Sequence, residues 1–263
     1  MGLTKPRRKI LGQELSGDVE AVGPEVSLFR EGDQVFGTTG FGFGAYAEYI
    51  CLPEKARGAA LAIKPTNVTY EEAAAVPTGG LEALHFLRRA GSLSGRKVLI
   101  IGAGGGIGTF AVQLAKCFGA QVTGVDSPGK LDLLRSIGAD RVIDYTREDF
   151  TQRGETYDVI FDVVGKSSFS SCVAALNDDG HYLLGNPRLS TMVRGWWASM
   201  RGKKRVVFGA AAQKSEDLAF LRGLIETGRI RPVIDRRFPL EQIPEAHRYL
   251  ESGFAKGRVV IFL

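Results

Sequence analysis

The heptapeptide Gly102-Ala103-Gly104-Gly105-Gly106-Ile107-Gly108 constrains this chain more than any other stretch. Five glycines in seven residues suit neither a helix nor a strand interior, yet the run stands between two segments that suit both. Before it, Val98-Leu99-Ile100-Ile101 is wholly apolar, as befits a parallel strand covered on both faces. After it, Phe110, Val112, Leu114 and Ala115 continue at helical spacing as far as Gly119. A strand, a turn without Cβ atoms and a helix N-terminus are what a pyrophosphate needs, because its charges must be met by backbone N–H donors and the positive end of the helix dipole. Gly105, Gly106, Ile107 and Gly108 are therefore the candidate cradle. Asp126, ending the next strand, is the candidate partner of a ribose hydroxyl.

From Arg96 onward strand and helix alternate. Strands are expected at 121–125, 141–143, 158–162, 182–184 and 206–208, with helices at 130–137 and 169–176. This repetition predicts a doubly wound parallel sheet. Ahead of it the chain is glycine-punctuated and β in character, with strands expected within 12–22, 34–37 and 45–50. Thr69-Tyr70-Glu71-Glu72 is a capping box opening a helix through Ala75 that Pro77 stops, and a second helix runs from about residue 80 to 90. Ser215 is expected to cap a helix through Glu226; a strand, a turn at Pro239, a helix over 243–250 and a last strand at 259–261 follow. Residues 192–204 resist assignment, and Trp196-Trp197 in that basic stretch fits a packed or interface helix better than a membrane-surface element.

Composition narrows the class further. With 263 residues, 44% hydrophobic and 24% charged, the chain is an ordinary globular one, and no apolar run approaches the roughly 20 residues of a membrane span. The first residues are too short and polar a stretch for a signal-peptide core, so a cytoplasmic location is expected. The net charge of +5 comes from dispersed basic residues without a nucleic-acid motif, which leaves an anionic small molecule as its partner and argues against nucleic acid. Cys51, Cys117 and Cys172 are too far apart to suggest a disulfide framework or a zinc knuckle.

Several further motifs occur in a telling order. These are Ile10-Leu11-Gly12-Gln13-Glu14-Leu15-Ser16-Gly17, Gly44-Ala45-Tyr46-Ala47-Glu48-Tyr49, Ala73-Ala74-Ala75-Val76-Pro77, the 102–108 turn with Ala111 to Lys116, Gly138-Ala139-Asp140, Val142-Ile143-Asp144-Tyr145 and Gly257-Arg258-Val259-Val260-Ile261. Together they resemble the medium-chain dehydrogenase/reductase superfamily over nearly the whole chain, and are similar to its zinc-free quinone oxidoreductase branch. The resemblance implies an α/β fold, a Rossmann doubly wound parallel sheet with a partial GroES-like β domain. It places the Rossmann domain at 85–230 and the GroES-like catalytic domain at 1–84, with a C-terminal return at 231–263.

The same resemblance frames the chemistry. Zinc-dependent relatives carry a His where this chain reads Gly12-Gln13-Glu14, and an amide is a poor zinc ligand, so no metal is expected. His85, His181 and His247 fall on separate elements and read as core or surface histidines. Asp126 would repel a 2′-phosphate and argues for NADH. Ser127, Lys130 and Tyr145 match residues that hold the 2′-phosphate in NADPH-using relatives, although Lys130 also fits an ordinary helix start and Tyr145 an ordinary half-buried aromatic. The balance tilts toward NADPH. Gly80-Leu81-Glu82-Ala83 stands where the family usually has Gly-Leu-Thr-Ala, which makes Glu82 either an acceptor for the nicotinamide carboxamide or a helix-start carboxylate facing the macrodipole. The strand ends at Val164-Gly165 and Leu184-Gly185-Asn186 are expected beside the nicotinamide.

By resemblance the reaction is hydride transfer from NAD(P)H to a small-molecule quinone, enone or carbonyl substrate, driven by positioning and hydrogen bonding without a Lewis acid. Tyr46 is the best remaining candidate catalytic donor, although core packing explains an aromatic in a Gly-Ala-Tyr-Ala strand better. The family's first barrel strands have no counterpart before Met1. Two expectations follow: an oxidoreductase whose start is set too late, or an NAD(P)H-binding protein with weak or no catalysis. Strands near residues 206–208 pair across dimers in the family, so a homodimer is expected.

Overall fold

A computed structural model describes residues 9–55, 58–186 and 203–263. The chain divides into two compact units, one formed by residues 1–81 and 212–263, the other by 82–211.

In the first unit β1 (Glu14–Asp18), β2 (Gln34–Thr38) and β3 (Ala60–Ile63) form an antiparallel sheet in that order, with Glu14 opposite Thr38 and Val35 opposite Ile63. Helix α1 (Tyr70–Ala74) begins at the expected capping box: the Thr69 hydroxyl accepts from the Glu72 amide, while the Glu72 carboxylate accepts from the Thr69 amide. Pro77 does two things. It cannot continue α1, and it is the first residue of α2 (Pro77–Arg89), where its missing N–H has no helical partner to lose. The boundary between the units falls inside α2, after Leu81.

The second unit carries the glycine turn. Its strands are β4 (Lys97–Ile101), β5 (Gln121–Asp126), β6 (Arg141–Asp144), β7 (Tyr157–Asp162), β8 (Leu176–Leu184) and β9 (Arg205–Phe208), interleaved with α3 (Gly108–Cys117), α4 (Leu131–Ser136) and α5 (Phe169–Ala174). The six strands are parallel and lie in the order β6-β5-β4-β7-β8-β9. The chain starts at the centre, winds outward through β5 and β6, then returns to add β7, β8 and β9 on the other side. That is the doubly wound Rossmann arrangement, and the reversal between β4 and β7 opens a crevice at the strands' carboxyl ends. Both faces are covered: Leu99 and Ile100 of β4, Phe110 and Leu114 of α3, and Ile160 and Phe161 of β7 are completely buried. The all-apolar composition of β4 is thus a packing requirement.

The chain then returns to the first unit with α6 (Ser215–Glu226), β10 (Ile234–Pro239), α7 (Ile243–Glu251) and β11 (Arg258–Phe262), β10 and β11 forming a parallel pair. Arg258 forms an ion pair with Glu14, whose other oxygen accepts from the Thr78 amide at 2.7 Å.

Several expectations are corrected. Residues 45–50 are not a strand: Phe43 and Gly44 take φ of 54° and 97°, and the amides of Gly44 and Tyr46 both donate to the Leu11 carbonyl, so the backbone turns where a strand would run straight. Strand β3 went unexpected because Ala60 and Ala62 give it a faint alternation. The helix after Lys214 is not capped by Ser215, which is its first residue; the Ser215 hydroxyl instead accepts from the Leu61 amide at 3.3 Å. That bond, and the Asn67 side-chain amide donating to the Ile225 carbonyl at 3.0 Å, tie α6 to the first unit, which is why the boundary lies at 211 and not at 230. Strand β8 starts at Leu176, well before the expected 182, its extra length pairing with Tyr157 across a register shift. Trp196 and Trp197 lie outside the described residues. No helix among the described residues is long and apolar enough to cross a membrane.

Thr69→Ala removes one half of the capping box and is expected to lower the unfolding free energy by about 1 kcal/mol. Equilibrium urea unfolding measures this; an unchanged midpoint would show that the box contributes nothing here.

Candidate functional site

Each amide of the glycine turn has a traceable partner or lacks one. Gly102 and Ala103 donate to the Val125 carbonyl, and Gly105 donates back to the Gly102 carbonyl at 3.2 Å. Gly104 donates to Asp126 Oδ2 at 2.7 Å. The amides of Gly106, Ile107 and Gly108, at the start of α3, have no acceptor among the described residues. Three N–H groups at a helix N-terminus, on a turn without side-chain bulk, form a cradle for an anion. The glycines are required sterically: a Cβ on Gly108 would stand 2.2 Å from the Gly102 carbonyl oxygen, and one on Gly104 would stand 2.7 Å from the Lys130 side chain.

Asp126 is where the fold departs most from the sequence reading. Its carboxylate is only 6% exposed and faces the turn. While Oδ2 takes the Gly104 amide, Oδ1 accepts from the Ser127 amide at 2.8 Å and lies 3.7 Å from the Lys130 ammonium, itself 9% exposed. Asp126 thus braces the cradle and is charge-compensated. Ser127 follows on the strand end, half-buried, and the Tyr145 amide donates to the Asp126 carbonyl at 3.3 Å, which brings a 61% exposed phenol ring to the same rim. Asp126, Ser127, Lys130 and Tyr145 therefore gather at one strand end, beside Gly104.

The opposite wall is built at the ends of β7 and β8. Val164 is 40% exposed and presses on the turn so closely that a Cβ at Gly102 would stand 2.4 Å from Val164 Cγ2. Gly165, at φ 71°, leaves room for the Asn186 carbonyl, which its Cβ would meet at 2.2 Å, and the Gly185 amide donates to the Asp162 carbonyl at 2.9 Å. Sequence reasoning missed Asp162. This carboxylate is completely buried and accepts from the Val164 amide at 3.0 Å, the Gly165 amide at 2.7 Å and the Tyr182 hydroxyl at 3.2 Å. The available signal was its position: an Asp ending a strand beside β4, as Asp126 does on the other flank.

The remaining candidates stand on other elements. Glu82 on α2 accepts from the Ala211 amide at 3.4 Å, and burial, only partly offset by that bond, raises its carboxyl above the ordinary value. Tyr46 belongs to the first unit; its half-buried ring meets His247 edge-on with centroids 6.0 Å apart, and burial raises its phenol. The Gln13 side-chain amide donates to the Gly40 carbonyl at 2.7 Å. Among the described residues no group of three or more His, Cys, Asp or Glu side chains is placed to hold a metal ion.

The chain is similar to known proteins over most of its length. A family model described as "Zinc-binding dehydrogenase" matches residues 137–261, and one described as "Alcohol dehydrogenase GroES-like domain" matches residues 2–63. A 2-methylene-furan-3-one reductase of Solanum lycopersicum is 36% identical across 97% of this chain, which spans 64% of that protein's length. A quinone oxidoreductase of Pseudomonas aeruginosa is 35% identical across 95% of this chain and 81% of its own length. The solved quinone oxidoreductase of Coxiella burnetii superposes with a TM-score of 0.82 at 28% identity, covering 96% of this chain and 79% of that one.

Glu82→Gln keeps an acceptor for Ala211 and removes the charge that burial penalises. A carboxyl raised in the folded state favours folding fully below its unfolded value of 4.5 and loses that contribution as pH rises through the folded value. The Gln variant is therefore expected to gain thermal stability over the parent progressively above pH 4.5, to a plateau. Melting curves across that range test it, and parallel pH profiles for the two proteins would refute it.

Proposed function

Because the chain belongs to the medium-chain dehydrogenase/reductase superfamily, we propose that it is a zinc-independent NAD(P)H-dependent oxidoreductase that delivers hydride to a quinone or an enone, with other carbonyls as further acceptors. One observation carries this reading: a turn with no room for a Cβ at Gly102, Gly104 or Gly108, presenting three amides at the start of α3 without an acceptor among the described residues, braced by a buried carboxylate. That cradle fits a pyrophosphate in size, charge and direction. The reduced nicotinamide, when bound, supplies the hydride.

The chain's own residues bind and orient. Gly106, Ile107 and Gly108 offer amides to the pyrophosphate. Val164, with the backbone at Gly165 and Gly185, forms an apolar wall beside Gly102 that excludes water and limits how a flat ring can lie. Glu82 keeps its proposed role as acceptor for the carboxamide, alongside the Ala211 amide that it already receives.

NADPH is the preferred cofactor in this reading. A free Asp126 carboxylate would repel a 2′-phosphate, but this one is turned inward, takes two backbone amides and lies against Lys130. The rim left to meet the ribose is the Ser127 hydroxyl, the Lys130 ammonium and the exposed Tyr145 ring, a set suited to a phosphate beside an adenine. Zinc independence is supported by Gln13, whose amide is engaged with Gly40 and is a poor ligand in any case. A homodimer is proposed through β9, one of the two edge strands of the sheet among the described residues.

Lys130→Ala leaves Asp126 uncompensated and removes a charged donor. It is expected to weaken NADPH binding about tenfold or more while NADH affinity stays within about threefold. Fluorescence titration of both cofactors decides; equal losses would remove the case for a 2′-phosphate contact. Turnover is tested by NADPH oxidation against quinones, enones and aldehydes, and binding without turnover of any of them would overturn the enzymatic reading.

A further inference from the structure

The cofactor reading above accounts for the β5 flank of the glycine turn through Asp126, and leaves unexplained why a second carboxylate is sealed on the other flank. We propose that Asp162 is a positioning residue for the nicotinamide half of the cofactor, a buried carboxylate that fixes the turn at Val164 and Gly165 against Gly102 and so sets the wall on which that half lies. This inference rests on the cofactor reading.

A carboxylate with no exposed surface is costly unless every lone pair is used, and an apolar residue would fill the same space more cheaply. What an apolar residue cannot do is hold two consecutive backbone amides. Asp162 Oδ1 accepts from both Val164 and Gly165, pulling the chain into a tight turn directly after β7. Its own carbonyl accepts from Gly185, so the same residue ties the end of β8 to that turn. The turn is pressed on the cradle, since Gly102 has no room for a Cβ beside Val164. Oδ2 is steadied by the Tyr182 hydroxyl, which burial and its contacts with Cys172 and Asp162 keep protonated far above neutral pH, so that it stays a donor. Cys172, its thiol pushed up to about 11 chiefly by burial, closes the set from below as a neutral group.

Direction follows from topology. In a doubly wound sheet the adenosine ribose lies at the end of the strand next to the first, here β5, and the dinucleotide crosses the switch point toward the other half of the sheet. The turn held by Asp162 is on that far half, beyond Gly102. Its influence should therefore be felt by the nicotinamide half and not by the adenosine half.

Two probes separate these halves: NADPH, and adenosine 2′,5′-bisphosphate, which carries the adenosine half alone. Asp162→Ala is expected to weaken NADPH binding about tenfold and adenosine 2′,5′-bisphosphate binding by less than about twofold, with Asp162→Asn, which retains an oxygen for the two amides, restoring NADPH affinity to within about threefold of the parent. A general loosening of the unit would weaken both ligands alike, and that result, or no change in either, overturns the proposal. Should the Ala variant not fold, Tyr182→Phe takes its place, with a loss of about threefold confined to NADPH expected and an equal or absent effect on the two ligands counting against it. If the parent protein binds neither probe, the cofactor reading itself fails and this inference with it.

Discussion

Two carboxylates shut away from water, Asp126 and Asp162, hold the ends of the strands on either side of β4, and the shape of the candidate site depends on them. A parallel sheet delivers its strand ends to one edge but leaves the turns there free to take many forms. Each aspartate removes that freedom in the same way, by accepting backbone amides that would otherwise point elsewhere: Gly104 and Ser127 in one case, Val164 and Gly165 in the other. Charge-assisted bonds of this kind are stronger than neutral ones, and losing one leaves a buried carboxylate short of a donor, which is costly. The glycines complete the arrangement. Their absent side chains are the space into which Lys130, Val164 and the Gly102 carbonyl fit.

The sequence was most legible where a residue's role follows from its immediate neighbours. An apolar run that meets a glycine turn and then a 3.6-residue repeat has few folded solutions, and the expected β4, turn and α3 stand where the pattern put them. The Thr69 and Glu72 box is likewise a contact between residues three apart. Legibility failed where a distant partner decides. Ser215 has the chemistry of a cap and yet serves Leu61, and the alternation through residues 45–50 gave way to positive φ angles at Phe43 and Gly44 and to carbonyls supplied by Leu11 and Gly12. In the site, gathering Asp126, Ser127, Lys130 and Tyr145 at one strand end required only strand alternation and the family resemblance. That Asp126 would face inward required knowing that Gly104 has an amide to offer and that Lys130 reaches back along its own turn. Asp162 was invisible for the same reason: a lone carboxylate in an apolar strand becomes intelligible once its three donors are seen.

The inward Asp126 also changes how an acidic residue at this strand end is to be read. The usual inference takes such a carboxylate as the ribose acceptor and hence as a mark of NADH. Here the residue's charge is met locally before any ligand arrives, so its identity alone says little about preference. The neighbours that remain accessible are Ser127 and Tyr145, and in the proposed reading they meet the ribose together with the lysine that balances Asp126. Lys130 thereby stands between the turn and the strand end, against Gly104 on one side and Asp126 on the other.

The interleaving of the units along the chain sets the order in which they can form. Residues 82–211 are continuous, so every strand of the parallel sheet is made before the ribosome moves on, and that unit can close while the rest is still being synthesised. The first unit has no such advantage. Its β1 needs Arg258 of β11 to compensate Glu14, and its β3 needs α6, so segments made before the parallel sheet wait for ones made after it. Until then the Glu14 carboxylate lacks its guanidinium partner, and β3 lacks the helix that bonds to it. Loops that long close slowly, so the first unit is expected to be the later of the two to form.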